Sequence, residues 1–113
     1  LKKISKGKKN VIFTQDIKEA VHNSNCIITD TWFSMGSKKN NFSEKFFNKY
    51  QVNKKNIKGA NSKFTFLHCL PAKRGKEVSK EIIDDKKISI VWDAAENRLH
   101  VQKAILEWCL KKI

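Results

Sequence analysis

The stretch FTFLHCLPAKRGKEV, residues 64–78, carries the reading of this sequence. Phe64 to Leu67 is a short apolar run with the composition of a buried strand. It ends in His68, Cys69 and Leu70, and then meets Pro71, the only proline in the chain. Proline offers no ladder donor, so the strand is expected to stop there and give way to the basic turn around Gly75. A strand that ends on a histidine and a cysteine places chemistry at a sheet's carboxyl edge, where open α/β sheets bind ligands.

Outward from this segment, short β-rich runs alternate with amphipathic helical patterns, which is the order of successive βα units. Val11–Thr14 reads as a strand. Asp16 and Glu19 form a capping box for a helix through Val21. Cys26–Thr29 is a second strand ending at Asp30, and Thr31 to Asn40 is a loop. Asn41 and Glu44 form another capping-box pair for a helix to about Gln51, with a further helical segment from about Lys54 to Ala60. Phe64–Leu67 is the third strand, and Ser79–Asp84 is a short helix. Ile88–Trp92 is the fourth strand, followed by a helix from about Ala95 to the end. The expected class is therefore α/β, a Rossmann-like parallel sheet with helices on both faces. In the last helix, Val101, Ala104, Ile105 and Trp108 line one apolar stripe, with Leu99, Leu106, Cys109, Leu110 and Ile113 beside it. More than half its circumference is apolar, so it is expected to pack against more than its own sheet.

The chain has 113 residues, enough for one domain and short for a complete α/β enzyme. It does not begin with Met and shows neither a secretory signal nor a membrane-spanning run. Three cysteines without repeated close spacing argue against a disulfide framework or a zinc cluster and fit a reducing compartment; Cys26 and Cys109 read as small buried hydrophobes. The formal charge is +13, from 24 Lys plus Arg against 11 acidic residues. Only Arg74 and Arg98 are arginines, and the lysines are scattered singly and in pairs. That distribution disfavours a specific nucleic-acid module, although a basic surface can steer anionic substrates.

Three strand ends carry suggestive groups: Asp30 with TWFSMG, His68-Cys69-Leu70-Pro71, and Asp93 leading into AAENR. Taken singly each has a plain structural reading, as a turn cap, a core filler or a surface ion pair. His68 and Cys69 are adjacent on a strand and point to opposite faces, so they do not form a catalytic dyad, and His68 is expected to be structural. His22 and His100 read as surface residues.

Taken together, DTWFSMG at 30–36, YQVN at 50–53, FLHCLPAKRGKEV at 66–78 and DAAENRLHVQKA at 93–104 resemble the carboxyl-terminal, amino-acid-binding domain of ornithine carbamoyltransferase, in the aspartate/ornithine carbamoyltransferase superfamily. The resemblance runs from about Val11 to the end. The aspartate enzymes differ at both HCLP and SMG, and the putrescine enzymes share an HCLP-like turn without Ser-Met-Gly. The resemblance implies transfer of the carbamoyl group of carbamoyl phosphate to L-ornithine, giving L-citrulline and phosphate. It implies Cys69 beside the reacting amine, orienting and helping to deprotonate it, and the backbone of Leu70 at the carbamoyl group. It implies Asp30 and Ser34 at the ornithine ammonium or side-chain amine, the Met35 backbone at the α-carboxylate, and Arg98 at carbamoyl phosphate. Asp30 and Cys69 are expected to pair. No metal or cofactor is implied. Ala94 stands where many members are acidic, an expected loss of local hydrogen bonding.

The family's phosphate-binding Ser-x-Arg-Thr motif does not occur here. The resemblance therefore makes residues 1–113 part of the second domain, including its final helix, without the carbamoyl-phosphate domain and inactive alone. It also implies a homotrimer in the cytoplasm, or in a mitochondrial matrix, with no membrane and no specific nucleic-acid partner. The competing readings are a carbamoyltransferase for another amine such as putrescine, or an inactive basic remnant that binds polyanions.

Overall fold

The computed structural model describes residues 10–33 and 41–111. Its elements run α1 (Ile17–Val21), β1 (Cys26–Thr29), α2 (Asn41–Asn48), β2 (Thr65–His68), α3 (Lys80–Ile83) and α4 (Val91–Leu110). The expected α/β class with parallel strands holds. β1 and β2 pair in parallel, in register from Cys26↔Thr65 to Thr29↔His68, with α2 in the connection that parallel pairing requires.

β2 is the centre of the core. Alternation along it buries Phe66 and His68 and leaves Thr65 and Leu67 half-buried. Phe66 is 0% exposed and packs with Val52, Val78, Ile82, Ile83 and Val91. The turn after β2 is tied back at Val52, whose N–H donates to Glu77 O and whose carbonyl accepts from Ser79 N–H, both at 2.9 Å.

Three expected elements differ. Val11–Thr14 forms no strand: it pairs with nothing among the described residues, and Ile12 is 76% exposed. Its polar groups serve the next helix instead, since Thr14 Oγ1 accepts from the Asp16 N–H at 3.0 Å and donates to Glu19. The cap of α1 is thus Asp16 accepting from Lys18 N–H, with Glu19 turned to Thr14 and not to the cap backbone. Lys54–Ala60 is a run of turns. Asn53 and Asn56 explain this: Asn53 Oδ1 accepts from Asn56 N–H at 3.0 Å, and Asn56 Nδ2 donates to Gln51 O at 2.8 Å. Such side-chain bonds compete with a helical ladder.

Ile88–Trp92 is reduced to a single parallel bridge between Phe66 and Ser89. Phe66 N–H donates to Ile88 O at 2.7 Å and Phe66 O accepts from Ile90 N–H at 3.1 Å, after which α4 begins at Val91. Asp93 therefore lies in the first turn of α4, where a carboxylate suits the helix dipole, and not at a strand end. Along α4, only Val91 is buried among the described residues, and Leu99, Val101, Ile105, Leu106, Trp108 and Leu110 are exposed. The apolar excess expected of this helix is present as an open surface. Cys26 and Cys109, expected to be buried, are exposed free thiols, as is Cys69. No described helix is long and apolar enough to cross a membrane.

Candidate active site

The β1/β2 register ends at Thr29↔His68, so Asp30 and Cys69 each lie one residue beyond the last pair. Parallel strands deliver them to the same edge, and Cys69 Sγ donates to Asp30 Oδ1 at 2.9 Å across 39 positions of chain. The expected pair is formed. The Thr31 N–H also donates to Oδ1, at 2.6 Å. These two bonds hold the Asp30 carboxyl below its ordinary range. The bond to Asp30 pushes the Cys69 thiol upward, helped by partial desolvation and the carboxylate charge, while Arg98 pulls weakly the other way. Cys69 is thus held as a thiol that donates, and Asp30 as a carboxylate that accepts. This direction opposes a thiolate base, the tuning that deprotonation of an amine by Cys69 would require.

Beyond Cys69, Leu70 takes a left-handed backbone with φ 57°, and the Leu70–Pro71 peptide is cis. The Leu70 N–H donates to His68 Nδ1 at 2.8 Å. His68 points to the buried side, away from the exposed Cys69, as strand alternation dictates. His22 and His100 are exposed, and His100 lies 3.8 Å from Glu96.

Arg98 comes to the same place from α4. His68, Cys69, Leu70, Ala94, Ala95, Arg98 and Gln102 share the lining of one open cleft of about 330 Å³. Gln102 was not singled out from the sequence; its place one turn after Arg98 on the same helical face was the available signal. Ala94 forms part of the wall, its N–H bonded to Ile90 O at 3.0 Å, so a small side chain there widens the cleft. On the outer face of α4, Glu107 pairs with Lys111 at 2.6 Å.

The Asp30 loop continues as Thr31, Trp32 and Phe33. Phe47 of α2 stacks on Trp32 at 6.0 Å between centroids and meets Phe33 edge-on at 5.9 Å. This cluster anchors the start of the loop to α2. Ser34, Met35 and Gly36 lie outside the described residues.

The cleft thus brings together a thiol donor, a left-handed backbone turn and a guanidinium, with the Asp30 carboxylate bonded to the thiol. That set can hold an ammonium at Asp30 and an anionic or carbonyl oxygen at Arg98, with a reacting centre between them. Among the described residues there is no cluster of His, Cys, Asp and Glu suited to a metal ion.

Comparison with known proteins bears on what this set serves. The family model of the aspartate/ornithine carbamoyltransferase Asp/Orn binding domain matches residues 1–109. The ornithine carbamoyltransferase of Rhodopseudomonas palustris is 50% identical over 95 residues, covering 84% of this chain and 30% of that protein. The solved ornithine carbamoyltransferase of Pyrococcus furiosus superposes with a TM-score of 0.73 at 48% identity, over 80% of this chain and 29% of that one. The Thermus thermophilus enzyme does so with a TM-score of 0.76 at 36% identity, over 92% and 33%. The chain therefore spans about a third of the length of these relatives.

Proposed function

This chain belongs to the aspartate/ornithine carbamoyltransferase family, and we propose that residues 1–113 are the carboxyl-terminal part of the ornithine-binding domain of an ornithine carbamoyltransferase. The reaction proposed is carbamoyl transfer from carbamoyl phosphate to L-ornithine, giving L-citrulline and phosphate. The observation that carries this reading is the 2.9 Å contact of Cys69 with Asp30, at the mouth of a cleft that Arg98 also lines.

The side-chain amine of ornithine must be neutral to attack, although an amine of that type is protonated at neutral pH, with a pKa near ~10.4. Its nitrogen bonds to the carbamoyl carbon, the bond from that carbon to the phosphate oxygen breaks, and the proton lost from the nitrogen is taken by the departing phosphate. Asp30, kept ionised, accepts from an ammonium or amine of ornithine. The Cys69 thiol, kept protonated and already bonded to Asp30, orients that amine and does not act as its base. The Leu70 backbone and the Arg98 guanidinium face the carbamoyl phosphate, whose carbonyl oxygen gains charge in the transition state. Ser34 and the Met35 backbone complete the hold on the ornithine ammonium and α-carboxylate. The charge of +13 favours the approach of an anionic substrate.

The carbamoyl-phosphate domain belongs to the rest of the polypeptide in this reading, and the open apolar surface of α4 supports a partner surface for it. Assembly as a homotrimer and a cytoplasmic setting complete the proposal. The test is citrulline formation by the complete enzyme carrying this sequence, given carbamoyl phosphate with ornithine or with putrescine. Turnover with ornithine alone supports the assignment. Turnover only with putrescine keeps the chemistry and removes the roles given to Ser34 and Met35. No turnover with either, joined to salt-sensitive polyanion binding, leaves the basic-remnant reading.

A further inference from the structure

One wall of the cleft is backed by a buried pair that the proposed chemistry does not use. His68 is 3% exposed and Glu77 1%, and His68 Nε2 lies 3.3 Å from Glu77 Oε1. His68 Nδ1 accepts from the Leu70 N–H. An imidazole nitrogen that accepts is unprotonated, so the ring proton sits on Nε2, facing the carboxylate. The opposite tautomer would set a proton against the Leu70 N–H and a lone pair against Glu77. The buried Nε2 makes no hydrogen bond among the described residues, and the Glu77 carboxylate at 3.3 Å is the charged group it faces, so the charge of Glu77 favours this tautomer.

Glu77 is itself fixed. Its Oε1 accepts from the Lys73 N–H at 2.5 Å, and its backbone carbonyl accepts from Val52 N–H. Gln51 Nε2 further clasps the turn by donating to Gly75 O and Lys76 O at 3.0 and 2.9 Å. The chain of contacts runs from a clamped turn through Glu77 and His68 to one backbone group, the N–H of Leu70. Leu70 holds φ 57°, a left-handed conformation that a residue with a branched side chain seldom adopts without support.

We propose that Glu77 and His68 are positioning residues: the carboxylate selects the imidazole tautomer, and the imidazole holds the Leu70 backbone in the left-handed turn that presents it to the carbamoyl group. This rests on the carbamoyltransferase reading of the cleft. Neither side chain touches substrate; His68 acts through Leu70 and Glu77 through His68.

The two nitrogens of His68 can be replaced separately. In His68→Asn the amide oxygen falls near the position of Nδ1 and can still accept from Leu70, while Glu77 loses the imidazole that faces it and keeps the Lys73 N–H. In His68→Gln the amide nitrogen falls near Nε2 and still meets Glu77, while the Leu70 N–H loses its acceptor. Measured in the complete enzyme, His68→Gln should lose about a hundredfold in kcat, the scale of a misplaced reacting group. Its KM for ornithine should stay within about twofold, because Asp30 is untouched, and His68→Asn should lose no more than about threefold in kcat. Thermal stability should run the other way, with His68→Asn melting below His68→Gln, since a buried carboxylate that loses the polar group facing it is costly. Glu77→Ala should lower kcat, and Glu77→Gln, which keeps an acceptor, should restore most of it.

A purely structural pair would make activity follow melting temperature across the set, and that result overturns the proposal. So does parental turnover in His68→Gln. Amide hydrogen exchange at Leu70 gives a readout independent of turnover: it should be faster in His68→Gln and protected in His68→Asn. If the parent enzyme makes no citrulline, the assignment of function fails, and this exchange experiment alone decides the positioning role, unchanged protection in His68→Gln refuting it.

Discussion

Removing the ring of Phe47 tests whether the aromatic cluster, and not the strand end alone, holds the amino-acid side of the cleft. Phe47 touches Trp32 at 6.0 Å, Phe33 at 5.9 Å and Phe46 at 5.6 Å. Trp32 and Phe33 follow directly on Asp30 and Thr31, so the cluster sets where the loop leaves β1. Ring pairs of this kind contribute about 0.5–1.5 kcal/mol each beyond area burial. The Phe46 contact is internal to α2 and does not bear on the loop. The two loop contacts, in a half-buried setting, leave about 2 kcal/mol as the local ordering lost in Phe47→Ala. If ornithine must bind the ordered loop, that cost passes into binding and raises its KM about 30-fold, with the KM for carbamoyl phosphate within about twofold. Steady-state kinetics of citrulline formation in the complete enzyme, varying each substrate in turn, measures both. Phe47→Leu keeps apolar volume without the ring and should fall between. A folded Phe47→Ala enzyme with an unchanged ornithine KM would refute the reasoning, and an equal rise in both KM values would move the cluster's role to general stability.

Three further outcomes follow from the same geometry. Because Asp30 holds the Cys69 thiol above its ordinary value of 9.0, alkylation of Cys69 by iodoacetamide should gain rate only at higher pH than for a free thiol. The contribution of this raised group to stability is complete below that ordinary value and is lost as pH rises through the folded one; Asp30, lowered from 3.8, behaves oppositely and loses its contribution as pH falls. Asp30→Asn should move the alkylation profile to lower pH, and a profile that does not move would break the link between them. Phe66→Ala, at a fully buried site, should cost about 3–5 kcal/mol in urea unfolding, and a loss below about 1.5 kcal/mol would show that the core collapses around the gap. Arg98→Lys keeps the charge and loses the planar fork, so the KM for carbamoyl phosphate should rise about tenfold or more, while equal kinetics would reduce Arg98 to a point charge.

What the sequence determined alone is what depends on neighbours along the chain. Asp16 caps the following helix by accepting from the Lys18 N–H, because this is a contest between local backbone bonds. The residue types at the strand ends, and their resemblance to a known family, were also legible without coordinates. Val11–Thr14 and Ile88–Trp92 were not, for all their strand composition. A strand is completed by its partner, and Val11–Thr14 has none among the described residues, whereas Phe66 supplies one bridge to Ser89 before α4 begins. The tertiary structure alone decided the chemistry of the site. The parallel register carried Asp30 and Cys69 to the same edge, so that a thiol read from sequence as a candidate base became a hydrogen-bond donor to a carboxylate. It likewise set Glu77, nine residues after His68, against the ring that holds Leu70. Protonation and tautomer depend on what stands within about 3 Å of an atom, and folding brings those neighbours from distant parts of the chain.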